Sequence, residues 1–219
     1  FRAKSVSGIN SMNDGVNYTA FSGGDIVVYS YQTGKAVDTI LTVKQLQQFG
    51  LKSVSGYEFS ADEKQLLLLT GSESVYRRSF TASYYIFNRA TKAVKPLSSN
   101  GKQSYATFSP DGSKVAFTRD NNVYYTDLAT GKEVQVTTDG KFNHIINGST
   151  DWVYEEEFGF AKGFEWSPDG KAIAFYRFDE SRVKLFNMNK FEGKLYPANY
   201  TYKYPKAGEQ NSVVSIYCY

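Results

Sequence analysis

Phe108-Ser109-Pro110-Asp111-Gly112, followed by Lys114-Val115-Ala116-Phe117, is the stretch that decides the fold. Pro pre-sets φ, Asp can bond its own backbone, and Gly tolerates positive φ, so the first part is a tight turn. The second part is short and nearly all apolar, as expected for a strand covered on both faces. The pattern recurs. Phe59-Ser60-Ala61-Asp62-Glu63-Lys64 leads into Leu66–Leu69, and Trp166-Ser167-Pro168-Asp169-Gly170 leads into Lys171 and Ile173-Ala174-Phe175. The three copies start 49 and 58 residues apart. A second element accompanies them: Tyr29 to Val37, Ile86 to Val94 and Tyr125 to Val134 each read as strand, tight turn, strand. Together the two elements give four strands per roughly 40–58 residues, the unit of a β-propeller blade. The chain therefore reads as all-β, with about four partial blades, at approximately 1–49, 50–98, 99–141 and 142–219. It runs out at Ser215-Ile216-Tyr217-Cys218-Tyr219, inside what reads as a strand. A piece of a longer chain and of a larger ring is expected, one not stable alone, because open sheet faces normally stack on neighbours.

Two segments break the pattern. Thr42 to Phe49 reads as one short amphipathic helical turn, and 147–163 reads as an insertion in a blade loop. Such loops are where binding and catalysis concentrate.

Composition agrees with the fold and excludes several functions. The 219 residues include 16 Phe, 18 Tyr and 2 Trp, and aromatics suit a pleated, half-buried surface. Lys and Arg number 25 against 22 Asp and Glu, a balance that argues against an electrostatic nucleic-acid binder. No apolar run is long enough to span a membrane as a helix. A single cysteine, Cys218, and a single histidine, His144, leave no disulfide and no cysteine- or histidine-based metal centre within the chain. No cofactor motif appears: P-loop, Gly-x-Gly-x-x-Gly, HExxH and EF-hand loop are all absent. Gly-x-Ser-x-Gly is absent too, and a Ser-His-Asp triad would have to use His144, which sits in a segment that reads as a strand. No catalytic residue is assigned.

Glu155-Glu156-Glu157 carries the strongest chemical signal. A solvated acidic loop is the ordinary reading of such a triplet, but Trp152, Tyr154, Phe158 and Phe160 bracket it, and an anchored backbone in apolar surroundings weakens that reading. Neighbouring side chains on a strand point to opposite faces, so two adjacent Glu can converge only from a helical turn or an irregular segment. If they converge, like charges at ~4 Å repel by about 1 kcal/mol in water and about 4 near a protein surface. A cation between them relieves that cost, and a primary ammonium offers three donors. A glycosidase-like acid and base pair would need carboxyls roughly 5–9.5 Å apart, which adjacent residues are unsuited to provide. The second candidate is Arg77-Arg78 in Val75 to Tyr84, where a guanidinium could offer its fork of donors to a carbonyl or carboxylate.

Asn147-Gly148-Ser149-Thr150-Asp151-Trp152-Val153-Tyr154-Glu155-Glu156-Glu157 closely resembles the acidic insertion of the dipeptidyl peptidase IV family. The Arg77 run, Trp166-Ser167-Pro168, Ala174-Phe175 and Tyr204-Pro205-Lys206-Ala207-Gly208 also match that family, and the resemblance covers most of the chain from about residue 57. The resemblance implies a serine exopeptidase with an eight-bladed N-terminal propeller and a C-terminal α/β-hydrolase domain that this chain lacks. It implies that Glu156 and Glu157 bind the α-amino group of a peptide substrate and that Arg77 contacts a substrate backbone carbonyl. Arg78 stands where the family requires no basic residue. Release of N-terminal dipeptides of Xaa-Pro or Xaa-Ala type follows, with tripeptide release as a sibling specificity. The partners implied are peptides with a free N-terminus and the hydrolase domain of the same parent chain. Residues 183–208 resemble an arm that pairs subunits into a homodimer. The resemblance alone suggests a periplasmic or extracellular setting. The reading from another class is a non-enzymatic TolB-like propeller serving as an interaction scaffold. It shares the Ser-Pro-Asp-Gly turns but has no reason to carry Asp151 to Glu157. Asn17, Asn147 and Asn199 each open a triplet of the glycosylation-acceptor pattern.

Overall fold

The computed structural model describes residues 8–219; the expected first blade, 1–49, therefore begins outside the described residues. The fold is all-β, in successive antiparallel sheets, as a partial β-propeller requires. Strands β1 (Asn10–Ser11), β2 (Asn17–Ser22), β3 (Asp25–Ser30) and β4 (Ala36–Leu41) form the first sheet, each strand beside its sequence neighbour. Helix α1 (Val43–Gln48) follows, where the sequence predicts a helical turn. A six-residue helix is marginal in isolation, and this one is held by a reciprocal cap. The Thr42 hydroxyl accepts the Gln45 N–H while the Gln45 side chain accepts the Thr42 N–H. Leu46 is the helix's buried residue.

Strands β5 (Gly56–Phe59), β6 (Gln65–Ser74), β7 (Phe80–Asn88) and β8 (Val94–Pro96) form the second sheet, and β9 (Ser104–Phe108), β10 (Lys114–Arg119), β11 (Asn122–Asp127) and β12 (Glu133–Gln135) the third. The fourth sheet is built differently. After β13 (Ile145–Asn147), helix α2 (Trp152–Glu157), β14 (Phe164–Trp166) and β15 (Ile173–Asp179), the chain leaves through a separate hairpin, β16 (Leu185–Lys190) and β17 (Ala198–Lys203). It returns as β18 (Val213–Cys218) to pair along β15 from Asp179↔Val213 to Ala174↔Cys218. His144 lies in the turn before β13 rather than in a strand, because the chain reverses there: its N–H bonds back to the Lys141 carbonyl at 3.0 Å.

The recurring turns are closed by their serines as well as their aspartates. Ser109 Oγ donates to Asp111 Oδ1 at 2.6 Å and accepts the Lys114 N–H at 2.9 Å, and Ser60 and Ser167 repeat the device. These serine bonds are the main reason that the Asp62 and Asp111 carboxyls are held down at about 2. The strands that follow are buried as expected in two of three copies: Leu66, Leu67 and Leu68, then Val115, Ala116 and Phe117, are each at most 2% exposed. In the third copy the expectation fails, because Ala174 is exposed while Ile173 and Phe175 are buried, so β15 is covered on one face at that end.

The chain divides into two compact units. One holds the residues up to Gly71 with Tyr84–Pro96; the other holds Ser72–Ser83 with Leu97–Tyr219. The core of the first gathers Ile26, Val28, Leu41, Leu46, Leu66, Leu68 and Phe87. The core of the second gathers Ala116, Val123, Phe164, Ile173 and Phe175. Gly148, at the exit of β13, has φ +72, and a Cβ there would stand 2.5 Å from Val123 Cγ2, so the close approach needs glycine. Asn147 is fully buried, and its side-chain amide donates to Asp139 at 2.8 Å, so that triplet is closed to glycosylation in the folded chain.

Candidate functional site

Every candidate residue lies in the second unit. The Glu triplet sits on α2, the helical turn that the convergence argument requires. Asp151 caps it: Oδ1 accepts the Tyr154 N–H at 3.0 Å, and Oδ2 accepts a hydrogen bond from Ser212 Oγ at 2.6 Å. Aromatic contacts anchor the helix on two sides. The Tyr154 ring meets Phe178 edge-on at 4.9 Å, and the Trp152 ring meets Tyr204 at 4.7 Å. Pairs of this kind contribute about 0.5–1.5 kcal/mol each beyond their burial.

The α-helical step of about 100° per residue gives the three glutamates three different fates. Glu155 points inward and is 1% exposed. Its Oε1 accepts the backbone N–H of Arg78 at 2.6 Å and of Ser79 at 2.8 Å. It is thus a positioning residue for the loop between β6 and β7, a role the sequence reading does not assign. Glu156 is the second partner of that loop: Arg77 Nε donates to its Oε2 at 2.8 Å, with the Glu156 side chain 15% exposed and that of Arg77 71% exposed. Glu157 is exposed and makes no hydrogen bond or ion pair among the described residues. Arg78, set aside in the sequence reading, closes the far end of the helix by donating from Nε to the Gly159 carbonyl at 3.0 Å.

The structure therefore brings Arg77 and Glu156 into direct contact, and leaves Glu157, the next residue on α2, exposed with a carboxylate free for an external donor. Arg77 spends Nε on Glu156, and its terminal N–H groups have no partner among the described residues. One end of the arrangement accepts hydrogen bonds and the other donates them. A backbone segment with an ammonium at one end and a carbonyl a few bonds away has the complementary order.

A cavity of about 390 Å³ opens beside this cluster, lined by Tyr76, Ser79, Trp152, Glu155, Glu180 and Lys203 among others. Arg77, Glu156 and Glu157 do not line it, so the three-residue cluster and the cavity are separate features of the same unit. The His144 side chain makes no hydrogen bond among the described residues, and its carbonyl accepts the Glu180 N–H at 2.9 Å. No group of three metal-ligating side chains gathers among the described residues.

The family model for the dipeptidyl peptidase IV (DPP IV) N-terminal region matches residues 60–219, which include both Arg77 and the Glu triplet. This chain belongs to the dipeptidyl peptidase IV family. The dipeptidyl peptidase IV likeness extends to solved structures: a crystal structure of Porphyromonas gingivalis dipeptidyl peptidase 4 superposes with a TM-score of 0.90 at 48% identity, covering 97% of this chain and 31% of that one. A probable dipeptidyl-aminopeptidase B of Talaromyces marneffei is 41% identical over 175 residues, 73% of this chain and 19% of that protein. Human prolyl endopeptidase FAP is 32% identical over 201 residues, 88% of this chain and 25% of that protein. The chain thus spans about a fifth to a quarter of the curated dipeptidyl peptidase IV relatives it matches here.

Proposed function

We propose that this chain is the substrate-anchoring propeller portion of a serine exopeptidase that releases N-terminal dipeptides of Xaa-Pro or Xaa-Ala type. Glu156 and Glu157 hold the α-amino group of the peptide, and Arg77 donates to a backbone carbonyl. The observation that carries this reading is the Arg77–Glu156 pair at 2.8 Å, with the unpartnered carboxylate of Glu157 on the next residue of the same helix. An ammonium completes a site that already has a cation on one carboxylate and none on the other. Charge-assisted hydrogen bonds of this type are about twice as strong as neutral ones. Anchoring the first residue fixes which peptide bond reaches the nucleophile, and positioning of that kind lowers the barrier of the later step. The nucleophile, its base and the proline-selecting pocket belong, in this reading, to an α/β-hydrolase domain of the parent chain.

One relative is named an aminopeptidase and another an endopeptidase. An ammonium anchor favours the first mode, because an internal peptide bond offers no charged nitrogen. The deciding experiment compares matched peptides in the intact protein, one with a free and one with an acetylated N-terminus, and sizes the products. Dipeptide release from the free peptide alone, lost in Glu156→Ala and Glu157→Ala variants that still fold, is the expected result. Equal cleavage of both peptides, or near-normal kinetics in both variants, defeats the reading.

The same reading places the protein in the periplasm or outside the cell and gives the β16–β17 hairpin a subunit-pairing role. In support of the second point, Phe191, Leu195 and Tyr196 at the hairpin's tip are 55%, 85% and 80% exposed. Leu195→Asp should shift the intact protein towards monomer in sedimentation; an unchanged oligomeric state removes the arm from the interface.

A further inference from the structure

The carboxylate of Glu180 is a polar group that the anchor leaves unused; another is the buried Asn147 Oδ1, which has no hydrogen-bond partner among the described residues. Glu180 follows directly on β15, is 6% exposed, and lines the 390 Å³ cavity. Its backbone is fully engaged: N–H to the His144 carbonyl at 2.9 Å, C=O from the Val183 N–H at 3.0 Å. Its carboxylate accepts no hydrogen bond among the described residues. Buried polar groups are rarely left so, and a buried charge is normally paired.

The cations on the same wall are already committed. Lys203 Nζ donates to the carbonyls of Val183 at 2.6 Å and Ser181 at 3.2 Å, Arg119 pairs with Glu133 at 2.6 Å, and Lys102 pairs with Glu73 at 2.7 Å. The charged groups that act on Glu180 are Asp151 before α2, Asp179 on β15 and Lys203 on β17; the two aspartates oppose its ionisation and the lysine favours it. Burial is the larger effect, and with Asp151 it pushes the Glu180 carboxyl up to about 7. Lys203 keeps its charge, but Asp151, Glu155 and Glu180 line the same cavity, and Arg119 and Lys102 are paired with carboxylates, so the wall disfavours an anion. A divalent metal has too few ligands, since no group of three ligating side chains gathers among the described residues. What remains is a cation that needs one carboxylate and an aromatic enclosure. Trp152, Tyr76 and Tyr200 supply the rings, and the hydroxyls of Tyr76 and Tyr200 lie 3.1 Å apart on the same wall. Aromatic faces attract cations and cover alkyl stems.

We propose that this cavity is a binding site for a primary alkylammonium group, with the Glu180 carboxylate taking the ammonium and Trp152, Tyr76 and Tyr200 enclosing the alkyl stem. A free amine and a lysine side chain of a peptide present the same chemistry.

The test uses the intact protein with Glu156→Gln and Glu157→Gln, which removes the competing carboxylates of the anchor. Titration calorimetry at pH 8 then compares n-butylammonium with Nα-acetyl-lysine N-methylamide, each against sodium chloride at matched ionic strength. Saturable binding is expected for at least one probe, weakened roughly tenfold or more by Glu180→Gln and retained in part by Glu180→Asp, since the ion pair rather than the shape is removed. Binding of the blocked lysine assigns the site to peptide side chains; binding of butylammonium alone assigns it to free amines. Affinity in the parent should fall by a similar factor at pH 5.5, where Glu180 is protonated, while the Gln variant stays flat. Absence of saturable binding for both probes, or equal affinity in Glu180→Gln, overturns the proposal.

Discussion

The Glu155 carboxylate accepts the backbone N–H of Ser79 at 2.8 Å from a residue 76 positions away in sequence. The same oxygen holds the Arg78 N–H, so one buried side chain fixes the loop that presents Arg77 to Glu156. Glu155→Ala leaves two donors without an acceptor, at about 1–3 kcal/mol for each buried group. The expected outcome is a loss of about 2–5 kcal/mol in denaturant unfolding of the intact protein, together with weaker use of free-amine peptides. Glu155→Gln keeps an acceptor oxygen and should recover most of both. Equal losses in the Ala and Gln variants would show that the charge, not the hydrogen bonds, holds the loop.

Arg77 behaves oppositely. Its ion pair with Glu156 is largely solvated, with the arginine side chain 71% exposed, and exposed pairs contribute at most about 1 kcal/mol. Arg77→Ala should therefore leave the unfolding midpoint nearly unchanged while KM for a dipeptidyl substrate rises. A large fall in stability would make Arg77 a structural residue and remove it from the anchor.

Phe117 is fully buried and stacks on Tyr124 with ring centroids 5.7 Å apart. Large-to-small changes at such sites cost about 3–5 kcal/mol for Phe→Ala. Chemical denaturation of Phe117→Ala should show that loss, whereas the exposed Phe142→Ala should differ from the parent by less than about 0.5 kcal/mol.

Glu180 makes stability fall as pH rises. Its folded-state carboxyl titrates at about 7, above the ordinary 4.5, so between these values the folded chain holds a proton that the unfolded chain has released. The folded state therefore loses ground progressively from about pH 4.5 to about pH 7, by about 1.4 kcal/mol for each pH step of one. Glu180→Gln removes that slope. Unfolding curves should place the variant above the parent by up to about 3 kcal/mol at pH 8 and close to it at pH 4. A constant gap across that range would refute the assignment.

The blade repeat is legible because its chemistry is local. Each Ser-x-Asp turn closes within six residues, so Ser109, Pro110, Asp111 and Gly112 announce themselves without the rest of the molecule. The serine bonds escape a reading centred on Pro, Asp and Gly, yet their signal is present in all three copies. Helix α2 is legible only as a condition, that adjacent glutamates need a helical turn in order to converge. Which glutamate turns inward is not legible, because that depends on where Arg78 and Ser79 arrive from far along the chain. Glu180 gives no signal at all. It stands between the polar Asp179 and Ser181, and its burial is set by residues distant in sequence, Asp151 and Lys203 among the charges that act on it. The expectation of a fully covered strand at Ala174 fails for a related reason: local apolarity states what a residue tolerates, not what the tertiary structure lays over it.

The detour between β15 and β18 has a kinetic consequence. Three sheets are meanders whose strands pair with their immediate successors, whereas β18 must cross 33 residues and bypass a hairpin before Val213 meets Asp179. Closing the longer loop orders more chain before any ladder bond forms, and contacts of high sequence separation form slowly. Pulse-labelling hydrogen exchange during refolding should find the β15–β18 amides protected last. The first three sheets can zip as they leave the ribosome, while the fourth waits for its returning strand.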